Sequence, residues 1–219
     1  MAKKEVEVVG IKPIEKVSVP IRIIGDSPLI VHAWSEKAKK EILGKQTKAT
    51  KTKAKEARNP FQEYCDALYW MTDRPEEIDM DTYEKLIEDG ARFGFPVNAI
   101  KMAGNSAAYR MGWVKNQMEL RASYFLKSVD GELAEIKGCK PKMREDMVRI
   151  GMGTADLRYR PEFTDWYMDI ELIYNKNGNL TLEQILNVIN AGGMACGIGE
   201  WRAEKDGDFG AYHLEMLNV

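Results

Sequence analysis

Residues 17–24 read VSVPIRII, with apolar side chains at Val17, Val19, Ile21 and Ile23. A period of two predicts a β-strand. Pro20 within it lacks an N–H, which points to an edge position or a strand irregularity. A second strand is predicted over 166–174, WYMDIELIY, where the even positions are apolar and Asp169 and Glu171 face away. The pattern alternates again over 209–217, with Tyr212, Leu214 and Met216 on one side. The β-prone runs SYFLKSV and ELAEIKG are joined by Asp130-Gly131, a pair that predicts a hairpin. VEVVG near the N-terminus is a further short strand candidate.

Helical spacing appears elsewhere. From Pro96, PVNAIKMAGNSAAYRMGWV carries Ile100, Ala103, Ala107 and Met111 on one face, and Asn98 is the expected cap. Its small residues allow close packing onto a sheet. Thr181 and Gln184 form a capping box that opens a helix with Leu182, Ile185, Leu186 and Ile189 on one side. That helix is expected to stop at Gly192-Gly193. A helix also starts near Pro60, and another is expected near 82–87.

The order is strand, helix, strand hairpin, strand, helix, strand. This predicts an α+β fold on the ferredoxin-like βαββαβ plan, as a single domain over 1–219. Two stretches lie outside the plan, and both are basic in part. One, 35–95, falls between the first strand and the first helix; the other, 137–160, falls between the central strands.

With 44% hydrophobic and 30% charged residues, the composition is that of a soluble globular chain. No apolar run approaches membrane-spanning length, so no membrane association is expected. The segment MAKKEVEVVG has no apolar signal core. Cys65, Cys139 and Cys196 are an odd set without metal spacing, which suggests free thiols in a reducing cytoplasm.

A net charge of −2 argues at first against a polyanionic partner, but the distribution changes the picture. Residues 37–58 hold nine basic and two acidic side chains, and 137–160 hold seven basic and three acidic ones. Two local positive fields therefore sit on an acidic body. The candidate phosphate contacts in the first stretch are Lys37, Lys40, Lys45, Lys48, Lys51, Lys53, Lys55 and Arg58. In the second they are Lys140, Lys142, Arg144, Arg158 and Arg160.

Residues 192–212, GGMACGIGEWRAEKDGDFGAY, contain six glycines. No Gly-Lys-Ser/Thr follows, so this is not a Walker loop. Nor does it open a helix as a dinucleotide fingerprint does. A loop rich in glycine can bring its backbone close to a ligand, and exposed N–H groups can take phosphate oxygens. Gly192, Gly193, Gly197 and Gly199 are the candidate backbone contacts, Trp201 a base-stacking residue and Arg202 a phosphate partner. The alternative is a helix cap and tight turn with Trp201 in the core.

His32 and His213 are the only histidines. His213 falls among outward residues of a strand; His32 follows SPLI, where a catalytic base could stand. No motif suggests a metal site or a cofactor. The RNP1 pattern is absent, and Asp169 and Glu171 would repel phosphate on the sheet face, so binding is expected to use the insertions and the glycine loop instead.

Three segments carry a family likeness: IIGDSPLIVH, FGFPVNAIKMAGNSAAYR and AGGMACGIGEWRAEKDGDFGAYHLEML. Together they resemble the RAMP superfamily, in particular the RNA-binding backbone subunits of CRISPR effector complexes and their stand-alone bacteriophage-encoded relatives. Those show a "PLL-H" strand end, a "PA" helix start and a closing "GIGxxRPxxxGxFGRF" signature. Here Ala203 stands in place of the Pro and Ala211 in place of the last Arg, leaving one expected phosphate contact without its arginine. The resemblance implies a modified RRM fold with a thumb-like hairpin within 137–160 that reaches a neighbouring subunit. It also implies that loop 192–202 lies near the nucleic acid. Some relatives cut RNA with an Asp or His after the first strand, where this chain has Asp26 and His32.

The expected function is sequence-tolerant binding of single-stranded RNA or DNA by a homo-oligomer that forms along the strand, in the cytoplasm of a bacterial host. The residues favour a binder over an enzyme. The alternatives are a phage anti-defence protein that mimics or caps a subunit of a host defence complex, an endoribonuclease using His32, and a structural phage component.

Overall fold

The computed structural model describes residues 12–34, 39, 42–44, 46–47, 57–151 and 153–217. Its central sheet has four antiparallel strands: β1 (Lys16–Gly25), β4 (Tyr124–Lys127), β8 (Tyr167–Asn175) and β9 (Tyr212–Met216), in the order β4-β8-β1-β9. Helices α3 (Val97–Arg110) and α5 (Leu182–Ala195) supply the other half of the core. Ile100 and Ala107 of α3 and Ile185 and Ile189 of α5 are fully buried in one cluster with Ile21, Ile23, Met168 and Leu172. The alternation in β1 and β8 thus puts one face on the helices. The other face carries Arg22, which makes two bonds to Asp169, at 2.6 and 3.0 Å, and lies over the Tyr167 ring.

Strand β1 pairs with β8 along its length, whereas the β9 ladder begins only at Ile21, so Pro20 stands at a locally open edge of a strand that is central farther on. The Pro20 carbonyl still accepts from the Leu217 N–H. Two sequence expectations need correction here. Asp130-Gly131 does turn the chain, with Gly131 at φ 105°, but its arms diverge. Strand β4 joins the central sheet, whereas β5 (Leu133–Glu135) pairs with β3 (Gly94–Pro96). Finally, α3 starts at Val97 with Pro96 as its N-cap and no side-chain cap, so Asn98 lies inside the first turn.

The segment between β5 and β8 is a long hairpin, β6 (Lys142–Ile150) and β7 (Thr154–Phe163), with β2 (Leu29–Ile30) added at its base. Its register separates two faces. One carries Lys142, Arg144, Asp146, Arg158, Arg160 and Glu162; the other carries Met143, Glu145, Met147, Arg149, Leu157 and Tyr159. Met147 is 73% exposed. Helix α1 (Pro60–Asp66), capped by Asn59, packs on β7. Helix α2 (Met80–Glu88) is capped by Asp79, and Tyr83 packs edge-on against Phe61 and Trp70.

Candidate nucleic-acid interface

Helix α5 does not end at the glycine pair. It continues to Ala195, and Gly192 and Gly193 are buried within it. A Cβ on Gly192 would strike the Gly104 backbone of α3, and one on Gly193 the Tyr212 backbone of β9. These glycines exist so that two helices and a strand can touch, which removes them from the list of ligand contacts. The loop proper begins at Gly197, at φ 67°. Gly199, at φ 79°, sits where a side chain would collide with the Ile30 carbonyl. Much of the loop backbone is already engaged: the Ile198 N–H donates to Gly210 O and the Glu200 N–H to Ile30 O, each at 2.9 Å.

Between this loop and α3 lies an open cleft of about 820 Å³. Its walls include His32, Lys101, Ser106, Arg121, Glu200 and Arg202. Lys101 donates to the Arg121 carbonyl at 2.7 Å and sits 4.4 Å over the Phe125 ring; burial lowers its pKa. His32 Nδ1 is 3.9 Å from Glu200. Burial, then the charge of Arg160, pushes its pKa below the ordinary value, outweighing the Glu200 carboxylate. The shift favours the neutral imidazole.

The hairpin meets the loop at the edge of this cleft. Arg160 is buried, with Nη2 3.4 Å from Glu200 and Nη1 3.4 Å from Asp146. Arg144 holds Asp146 at 2.9 Å and Glu162 at 3.0 Å, and lies over the Phe209 ring. Arg158 pairs with Asp156 at 2.9 Å. Arg58, at the end of the first basic stretch, pairs with Glu63 at 2.6 Å and Asp156 at 2.8 Å and donates to the Leu157 carbonyl. The described end of the first stretch, the hairpin and the glycine loop are thus linked in one chain of contacts.

These arginines already have carboxylate partners, which the sequence did not reveal. Lys140, Lys142 and Arg149 are exposed and form no ion pair among the described residues. Lys37, Lys40, Lys45, Lys48, Lys51, Lys53 and Lys55 lie outside the described residues. Trp201 is 40% exposed, not a core residue, and has φ 51°. Arg202 makes two bonds to Glu204, at 3.1 and 3.0 Å, and one to the Gly199 carbonyl. Ser106, Arg110 and Glu204 were not singled out from sequence; the i, i+4 spacing of Ser106 and Arg110 on a predicted helix was the available signal.

Away from the cleft, His213 Nδ1 lies 2.6 Å from Asp26 on the exposed end of β9. Among the described residues, no group of three or more His, Cys, Asp or Glu side chains is placed to hold a metal ion, and no helix is long and apolar enough to cross a membrane. No protein-family model matches the chain. Comparison with curated proteins likewise gave no match.

Proposed function

We propose that the protein binds single-stranded nucleic acid without regard to base sequence, and that successive copies line up along the strand. The observation that carries this reading is the linked junction of Arg58, the β6–β7 hairpin and loop 197–210 beside one open cleft. Cations unpaired among the described residues, Lys140 and Lys142, lie at the start of that hairpin, and half-exposed Trp201 offers a ring for a base. The exposed apolar side chains Met143, Met147 and Leu157, on a face that also carries Glu145 and Arg149, support contact with a neighbouring copy.

The strand order fits the same proposal. Numbering only β1, β4, β8 and β9, with α3 and α5 as the two helices, the order is second-third-first-fourth. This supports a ferredoxin-like, modified-RRM core of the RAMP kind, with the hairpin as its thumb-like insertion.

The test is purification without nuclease, followed by the ratio of absorbance at 260 and 280 nm and electron microscopy. Co-purifying nucleic acid in filaments or rings is expected. Protein free of nucleic acid that also fails to bind a labelled homopolymer at low salt contradicts the reading.

One observation favours a second reading. A neutral His32 beside Glu200 in the cleft is suited to act as a base in RNA cleavage. Cleavage of labelled RNA that is abolished by His32→Ala would establish it.

A further inference from the structure

Glu204 sits in a donor set larger than one carboxylate needs. Arg202 gives it two bonds through Nε and Nη2, Arg110 one through Nη2 at 2.9 Å, and Ser106 one through Oγ at 3.1 Å. Two guanidinium charges face a single negative charge, so the cluster keeps a local surplus of one positive charge. Burial alone would raise the Glu204 pKa, yet the bonds from Arg202 and Ser106 and the arginine charges outweigh it and hold the pKa below the usual range. Ser106, Arg202 and Glu204 all line the cleft.

The backbone that carries Glu204 is unusual. It lies in the 3₁₀ turn Ala203–Lys205, bracketed by Trp201 at φ 51° and Asp206 at φ 60°. Among the described residues these two are the non-glycine positions with positive φ. Left-handed backbone at such residues persists only where surrounding contacts enforce it.

We infer that Arg110, Arg202 and Ser106 form a phosphodiester-binding site at the edge of the cleft, and that Glu204 occupies it until a strand displaces the carboxylate. A phosphodiester presents one negative charge and two non-bridging oxygens, as a carboxylate does, and arginine forks fit both. This inference rests on the strand-binding reading, and names the regulation of that site by the chain's own acid.

The experiment compares the wild-type chain with Glu204→Gln, which keeps the size of the side chain and removes its charge. Asp208→Asn, in the same loop and exposed, changes net charge equally and serves as control. Glu204→Gln is expected to bind a labelled homopolymer several-fold more tightly, with about the wild-type salt slope, because the same phosphate contact forms in both proteins. Inorganic phosphate, titrated by calorimetry, is expected to bind Glu204→Gln more tightly than wild type. An equal gain from Asp208→Asn, or no gain in a Glu204→Gln protein with an unchanged melting temperature, overturns the inference. Tighter phosphate binding by Glu204→Gln, with no strand bound by any form, keeps the site and overturns the strand-binding reading instead. Should Glu204→Gln not fold, Arg110→Gln decides: a shallower salt slope than wild type supports the site, and an unchanged slope overturns it.

Discussion

The ion-paired arginines of the hairpin and the unpaired basic residues at its two ends are alike in charge and opposite in physical state. Arg144 and Arg160 are folded into a network with Asp146, Glu162 and Glu200. Lys140, Lys142 and Arg149 stand in solvent, without an ion pair among the described residues. The first group joins the hairpin to the body and contributes little net field, since each positive charge faces a carboxylate. The second group has no such partner among the described residues and remains available to a polyanion. A count of basic residues merges these two roles; the pairing separates them.

The largest effect should come from the paired group. Arg160→Met strips Asp146 of one buried partner and Glu200 of its link to the hairpin. A loss of about 3 kcal/mol in urea unfolding is expected, the size associated with breaking a buried pair. A loss under about 0.5 kcal/mol, the range of an ordinary surface change, would mean that the network does not hold the hairpin.

Neutralising the unpaired group should do the reverse. The triple variant Lys140→Gln, Lys142→Gln, Arg149→Gln should unfold at the wild-type urea concentration. Its affinity for a labelled homopolymer in moderate salt should nevertheless fall roughly tenfold, as expected for three lost phosphate contacts. Equal binding by the triple variant would erase the distinction between the groups.

The smallest effect concerns His32, whose pKa is lowered first by burial and then by the charge of Arg160 in the paired group. Its folded pKa lies below the unfolded value of 6.5. In the window between the two, the unfolded chain binds the extra proton, so stability rises with pH and is fully present above about 6.5. As pH falls through 6.5 toward the folded pKa, the wild type should lose stability relative to His32→Gln. Urea midpoints of the two proteins at pH 7.5 and 5.5 give this difference, with the carboxylates common to both cancelling. A constant gap would contradict the assigned shift.

The fold was legible where one physical rule acted alone. Thr181 and Gln184 form the capping box that their spacing predicts. The alternation at 17–23 and at 168–172 marks which face of β1 and β8 is buried. It failed where tertiary contact overrode a local signal. Gly192-Gly193 looks like a helix stop, but the pair is needed for contact with Gly104 and Tyr212. Asp130-Gly131 looks like a simple hairpin, but Phe93 and Phe95 are buried beside Ala134, and β5 pairs with β3.

The candidate site was legible in outline only. Its elements, the basic excursions and the glycine loop, stood out from composition. Its electrostatics did not, because pairing depends on register. Asp146 stands directly across from Arg158, yet bonds to the diagonal Arg160 and to Arg144 two residues earlier. No periodicity in the sequence encodes that diagonal. Glu204 and Arg110 are 94 residues apart and meet only because α3 and the closing turn flank one cleft.

The most direct test of strand binding through cationic contacts is the salt dependence of affinity for a fluorescent single-stranded homopolymer, measured by anisotropy over a range of potassium chloride concentrations. A linear fall of log affinity with log salt is predicted, with a slope that becomes shallower by roughly 2 in the Lys140, Lys142, Arg149 triple variant. A flat line for the wild type, or the same slope for both proteins, would contradict the account.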